Sequence, residues 1–304
     1  MKHMLSFQID VPEPFRFSEN LNYLSRSPNE CLYQIRSDRI YRALPVQGSA
    51  VVMDVGADAD GQAIAVRLLG DPDSPVDQLQ LQAQAEAYVW EWFDLDTDLA
   101  PFYEQAEADP LLGKAIKAFY GLRLIGIPDL FEAISWGIIG QQIHLGYAYT
   151  LKRRLVEAYG HSVEHEGNTY WLFPKAEDIA HLEVQDLQPL RMTVKKCEYL
   201  IHTARLIADG SLTKLQLMNA GSLKLAEKRL VSIRGIGPWT AHYVLMRCLR
   251  MPDAFPIDDV GLHNAIRHLQ GMDRKPTKAE IMELSSRWSG WEAYATFYLW
   301  RFLY

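Results

Sequence analysis

Cysteine is scarce: Cys31, Cys197 and Cys248 are the three in 304 residues, too few for a disulfide framework or for a four-cysteine zinc or iron–sulfur site. No apolar run approaches the ~18 residues of a membrane span, and Met1-Lys2-His3-Met4-Leu5 is not followed by the apolar stretch of a signal peptide. A reduced cytoplasm is therefore the expected compartment, with no membrane partner. Basic residues are also rare in the first third. Residues 1–110 hold 7 Lys and Arg against 19 Asp and Glu, a balance of −12. The whole-chain charge of −7 by itself argues against a polyanionic partner. The distribution reverses that inference, because residues 111–304 balance at +5 and residues 191–250 hold 11 basic and 3 acidic side chains.

With 48% apolar and 23% charged residues, the chain has the composition of a folded globular protein of two or three domains. Leu5, Phe7 and Ile9 alternate with polar neighbours, as do Cys31, Tyr33 and Ile35, and then Ile64, Val66 and Leu68 before the turn Gly70-Asp71-Pro72-Asp73. This alternation predicts a half-buried antiparallel sheet. From Pro75 onward Leu79, Ala83, Tyr88 and Phe93 follow a helical period that persists almost to the C-terminus. One interruption, His161 to Phe173, predicts a small hairpin around Glu166-Gly167-Asn168. The expected fold class is α+β: an N-terminal antiparallel-sheet domain over 1–108, then a mostly helical body over 109–304.

Two segments point to chemistry. In Leu230 to Ala241 an apolar helix end meets Gly235-Ile236-Gly237, and a second helix starts at Pro238, where a missing N–H costs nothing. Backbone amides in such a turn can hold a phosphate oxygen, or a metal ion bridging to one; the same sequence also suits a plain helix–helix corner. In Pro252 to His263 two carboxylates, Asp258 and Asp259, precede a helix. One can cap it while the other faces a cleft and acts on substrate.

Together these segments resemble the helix-hairpin-helix DNA glycosylases, with the helix-hairpin-helix over about 223–250. Phe131-Glu132-Ala133, Ile138-Ile139-Gly140-Gln141-Gln142-Ile143, Lys195-Lys196-Cys197-Glu198-Tyr199-Leu200 and the stretch Trp288 to Trp300 extend the match. Within that superfamily the chain is similar to the bacterial alkylpurine (3-methyladenine type II) glycosylases, most closely over 130–300. The resemblance implies a two-lobed helical body and a monomer that acts on damaged double-stranded DNA near the nucleoid. It requires no cofactor, beyond a monovalent cation that could bridge the hairpin to DNA phosphate.

The resemblance also assigns roles. Asp259, directly before Val260-Gly261-Leu262, becomes the catalytic carboxylate; counting from Pro256 favours Asp258 instead, and the other Asp then caps the helix. Trp239 stands where members that also cut the backbone carry a Schiff-base lysine, which implies base release without lyase activity. Trp239, Tyr243 and Trp300, with Tyr23 from the N-terminal part, would line a pocket for an electron-poor base; as bare residues they suit a core equally well. Gln142 would fill the gap left by the flipped base, unless its amide caps backbone groups. Arg234, Gly235, Ile236 and Gly237, with Lys228 and Arg229, would face phosphates, while Lys195 and Lys196 fall on the basic surface and Trp136, Trp288 and Trp291 in the core. Ser289-Gly290 and Glu292 replace the common Pro and Arg, and Arg301 is expected to face solvent or phosphate. Release of another lesion, or DNA binding without catalysis, are the alternative functions.

Overall fold

The computed structural model describes residues 5–46, 49–70 and 77–303. The expected turn Gly70-Asp71-Pro72-Asp73 lies outside these residues after Gly70, as does the Pro75 helix start. The chain forms two compact units, each assembled from separated stretches: one from the N-terminal segment to Val11, Leu24–Trp92 and Ile138–Ser211, the other from Pro12–Tyr23, Phe93–Gly137 and Leu212 onward. A division at 108 falls inside the second unit's Phe93–Gly137 stretch.

The first unit is built on an antiparallel five-stranded sheet. Its strands are β1 (Leu5–Asp10), β2 (Tyr33–Arg36), β3 (Arg39–Val46), β4 (Ser49–Ala57) and β5 (Ala63–Leu69), in the order β1-β5-β4-β3-β2. The alternating runs at 5–9 and 64–68 fall in strands, and of the run Cys31, Tyr33 and Ile35 the last two do, with Cys31 just before β2. β3 and β4 lie inside the sheet, and β4 carries consecutive buried residues Val51, Val52 and Met53, so it lacks the alternation that marks a half-solvated strand. The helix Gln78–Trp92 buries Leu81, Ala85, Val89 and Trp92, one face at spacings of three and four.

The expected hairpin is present as β6 (His161–His165) and β7 (Asn168–Leu172). Glu166 and Gly167 both have positive φ, 49° and 74°, the conformation of a tight two-residue hairpin turn. It belongs to the sheet's unit rather than to the helical body: Tyr170 packs with Ala43 and Val52 in one core cluster. Gln34 Nε2 also donates to the Thr169 carbonyl at 3.0 Å. Nearby, Lys152 Nζ and Glu30 Oε2 form a buried ion pair at 3.3 Å, with Glu30 also accepting from the Cys31 and Leu32 amides. Burial raises the Glu30 pKa, but Lys152 and these amides outweigh it and hold the carboxyl below its usual range.

The second unit is helical. Its helix Glu292–Trp300 is buried at every position from Ala293 to Trp300, as expected of a helix enclosed by others. Several of its buried polar groups are paired across the unit. Trp288, fully buried, donates Nε1–H to Asp109 at 3.1 Å, and Asp94 accepts from Tyr294 Oη at 2.5 Å and from Arg250 at 3.0 Å.

Candidate active site

The site is best built outward from Asp259, which lies in the second unit. It is the N-cap of the helix Val260–Gln270, with φ −69° and ψ 122°, and is 9% exposed. Its Oδ1 accepts from the Leu262 amide at 2.7 Å and from Trp300 Nε1 at 2.8 Å, and its Oδ2 accepts from Trp239 Nε1 at 2.9 Å. Roughly four lone-pair sites are available on a carboxylate. Two donors saturate Oδ1, whereas Oδ2 keeps one lone pair for a water or a developing cation.

This arrangement corrects the division of labour between the two aspartates. Capping falls to Asp259 itself, not to its neighbour. Asp258 is exposed and paired with Lys278 at 3.2 Å, so it does not cap the helix. The expectation that the candidate catalytic carboxylate leaves the cap to its neighbour is not met, and the lone pairs of one carboxylate suffice to cap and still leave one open.

Gly261 explains the Val-Gly-Leu step. A Cβ there would sit 2.8 Å from Asp259 Oδ1 and 3.1 Å from Trp300 Nε1, so only glycine lets the indole reach the carboxylate. Gly261→Ala is expected to separate Trp300 from Asp259 and lower catalytic turnover by about tenfold, the value of one hydrogen bond to a charged group. Single-turnover assays of the folded variant check this.

The aromatic candidates come together in the same unit. Trp239 and Tyr243, one turn apart on the helix Pro238–Arg247, stack at 5.5 Å with an interplanar angle of 26°. Tyr23 packs on Phe297 at 4.4 Å, and Phe297 lies 6.1 Å from Trp300. Tyr23 belongs to the helical unit, not to the sheet. Trp239 is half-buried, while Tyr23, Tyr243 and Trp300 are buried. The site also includes Arg247, which the sequence reading left among the basic residues. It is buried and donates to Tyr23 Oη at 3.0 Å, Tyr243 Oη at 3.2 Å and the Ile125 carbonyl at 2.7 Å. The four-residue spacing of Trp239, Tyr243 and Arg247 was the available signal.

The hairpin joins helices Leu223–Val231 and Pro238–Arg247. Gly235 has φ +97°, and Gly237 is extended at φ −90°, ψ 175° as the N-cap of the second helix, with no side chain capping it. Arg234 is exposed, whereas Ile236 is buried and its N–H donates to the Ile233 carbonyl at 3.1 Å. Gly235→Ala is expected to cost about 1–3 kcal/mol, because a side chain is strained at that φ. Gly237→Ala meets no atom within 4 Å and is expected to cost under about 1 kcal/mol. Urea unfolding of the two variants checks the contrast.

Gln142, in the first unit, is exposed at φ +57° between the helices Leu130–Ile139 and Leu145–Tyr159. No hydrogen bond ties its amide to the backbone among the described residues, so backbone capping does not explain it. Lys196 is not on the basic surface: it is buried and donates to the Ile139 carbonyl at 2.8 Å, at a helix C-terminus. Desolvation pushes its pKa down.

Other basic residues are likewise committed to structure. Arg250 pairs with Asp94 and Asp96, and Arg229 donates to Gln216 at 2.6 Å. Arg301, expected to face solvent or phosphate, is buried with its guanidinium 5.1 Å above the Phe119 ring. Glu292 is half-buried, and Oε2 has no hydrogen-bond partner; burial pushes its pKa up. Trp136 and Trp291 are half-buried, so of the three tryptophans assigned to the core only Trp288 is fully enclosed.

Among the described residues no helix is long and apolar enough to cross a membrane, and no group of three or more His, Cys, Asp or Glu could hold a metal ion. The family described as "HhH-GPD superfamily base excision DNA repair protein" matches residues 136–290. The family described as "8-oxoguanine DNA glycosylase, N-terminal domain" matches residues 15–134. A protein of Bacillus subtilis (strain 168) named DNA-3-methyladenine glycosylase is 53% identical over 296 residues, covering 97% of this chain and 96% of its own. DNA-3-methyladenine glycosylase 2 of Escherichia coli (strain K12) is 33% identical over 62% of this chain and 63% of its own. Among solved structures, a 3-methyladenine DNA glycosylase from Archaeoglobus fulgidus superposes with TM-score 0.81 at 24% identity, covering 97% of this chain and 98% of that one.

Proposed function

This chain belongs to the HhH-GPD superfamily of base excision DNA repair proteins, and on that premise we propose that it hydrolytically releases alkylated purines of the 3-methyladenine and 7-methylguanine type from double-stranded DNA. It does so as a monomer in the cytoplasm, without cutting the backbone. The observation that carries this reading is Asp259, held by three N–H donors with one lone pair left on Oδ2.

An N-alkylated purine is positively charged, so its glycosidic bond is weak and its departure needs little acid catalysis. As the bond stretches, positive charge develops on the sugar. Asp259 Oδ2 stabilises that charge and orients the incoming water; because Trp239, Trp300 and the Leu262 amide already fix the carboxylate, no reorganisation is needed as the charge appears. The aromatic group of Trp239, Tyr243, Trp300 and Tyr23 favours an electron-poor ring through stacking and cation–π attraction, worth ~1–2 kcal/mol per desolvated contact. The base reaches such a site only after leaving the duplex. Gln142, exposed and unbonded at its turn, has the freedom to enter the vacated space.

The uncapped start of the helix Pro238–Arg247, just after the Arg234–Gly237 turn, offers amides to a phosphate. Those hairpin residues carry no carboxylate or imidazole, so a cation bridging there would rest on backbone oxygens. The absence of a lysine at Trp239 supports release without a Schiff base.

Methylated duplex DNA tests the reading. The expected result is free 3-methyladenine and 7-methylguanine, strand breaks only after alkali, no borohydride-trapped adduct, and full activity in Asp258→Asn. A trapped adduct would refute release without lyase chemistry. Tight duplex binding with no base released from any lesion would leave a DNA-binding protein without catalysis.

A further inference from the structure

Arg247 is a buried cation all of whose partners are uncharged. It is 4% exposed, and its guanidinium carbon lies 5.7 Å from the Tyr23 ring centroid and 5.5 Å from each of the Tyr243 and Phe297 centroids. Its hydrogen bonds go to two phenol oxygens and one carbonyl. Every one of these partners is neutral. No carboxylate pairs with it among the described residues, whereas Arg250, three residues on, has two.

A buried guanidinium without a counter-ion keeps its field. Trp239, Tyr243 and Arg247 follow one another at four-residue spacing on the same helix, so the charge closes a column of indole, phenol and guanidinium. The outer end of that column is the indole bonded to Asp259. The cation already occupies faces of the rings whose negative quadrupole would attract a charged base. In addition, its full charge opposes any positive charge brought to the far side of the column. A base stacked there lies on the order of 10 Å away, where two unit charges at the effective dielectric of a protein oppose each other by about tenfold in binding.

Resting on the reading that these aromatics receive the flipped base, we propose that Arg247 is a specificity-determining residue that lowers the pocket's preference for positively charged bases and so admits neutral base lesions. It acts through the rings and does not touch the reacting atoms. A purely structural role would weaken binding of all bases alike; an electrostatic role changes the ratio between a cationic base and a neutral one of the same shape.

The test uses two duplexes of one sequence. One carries an uncleavable 2′-fluoro 7-methylguanosine, which is cationic, and the other carries 7-methyl-7-deazaguanosine, its neutral isostere. Affinities of the full chain for both and for undamaged duplex are measured by fluorescence anisotropy, after circular dichroism has established folding of each variant. Arg247→Gln, which keeps a donor for the phenols but removes the charge, is expected to raise the cationic-to-neutral affinity ratio about tenfold. Arg247→Lys keeps the charge and is expected to hold the ratio within about twofold of wild type.

An unchanged ratio in folded Arg247→Gln overturns the proposal while lesion binding, and with it the pocket reading, still stands. Should Arg247→Gln not fold, Arg247→Lys decides, because a ratio shifted by more than about threefold with the charge retained also overturns it. Wild-type protein that prefers neither lesion over undamaged DNA overturns the pocket reading and this proposal together.

Discussion

Asp259→Asn is expected to slow release of 7-methylguanine by about 100- to 1000-fold in single-turnover assays, the scale of losing one preorganised charge-stabilising group, while leaving the fold intact. Two changes act in the same direction. The negative charge facing the developing sugar cation disappears, and the new amide nitrogen has no acceptor to meet. Turned toward Oδ1 it would face the Leu262 amide and Trp300 Nε1–H, and turned toward Oδ2 it would face Trp239 Nε1–H. The second orientation opposes fewer donors, so the introduced asparagine keeps the Leu262 cap and pushes Trp239 away. Asparagine caps helices about as well as aspartate, so urea unfolding is expected to change by less than about 1 kcal/mol.

Asp259→Ala separates the two contributions. It removes the cap, at about 1 kcal/mol, and strands the buried Trp300 Nε1–H, at about 1–3 kcal/mol. The sum expected in urea unfolding is about 2–4 kcal/mol. A variant pair in which Asn and Ala destabilise equally would show that neither the capping bond nor the Trp300 bond contributes to stability. Full activity in Asp259→Asn would transfer the chemistry elsewhere.

Trp300→Phe is expected to reduce turnover by about 10- to 100-fold with little change in substrate affinity, because a hydrogen bond to a charged group is worth about 1.5–3 kcal/mol. Phenylalanine keeps most of the apolar contact with Phe297 but has no N–H for Asp259 Oδ1. The carboxylate then rotates about its remaining partners, Leu262 and Trp239, and its open lone pair loses its fixed direction. Release rates under saturating enzyme, compared with affinity for uncleavable lesion duplex, distinguish this from loss of stacking. If affinity falls and the saturating rate is unchanged, Trp300 contributes surface and not orientation. Trp239→Phe removes the partner on Oδ2 but is ambiguous in this assay, since Trp239 is also a stacking ring.

Much of the architecture was legible because local patterns carried it. Alternation marked β1, β2 and β5, and the turn residues Glu166 and Gly167 marked the hairpin. The interior of the sheet was not legible in this way, since buried β4 shows a continuous apolar run in place of an alternating one. The hairpin's partner was equally hidden, because Tyr170 meets Ala43 and Val52 across more than a hundred residues of chain.

The site divides along the same line. By itself the sequence offered candidates: Asp258 and Asp259 before a helix, and Gly235 and Gly237 before Pro238; the choice of Asp259, and the reading of Trp239 as standing where relatives carry a lysine, came from the family resemblance. Those candidates are short-range features, dictated by caps, turns and the reactivity of single side chains. Only the tertiary structure decided what each group does among its neighbours. It made Asp259 both cap and candidate catalyst by bringing Trp239 and Trp300 to it from twenty and forty-one residues away. It buried Lys196 and Arg301, expected on the surface, and Arg247, counted only as part of the basic run, and it closed the aromatic group with Tyr23 from the other end of the chain. A charge or a ring has the same sequence signature in water as in a core, and its environment is set by the atoms that fold against it.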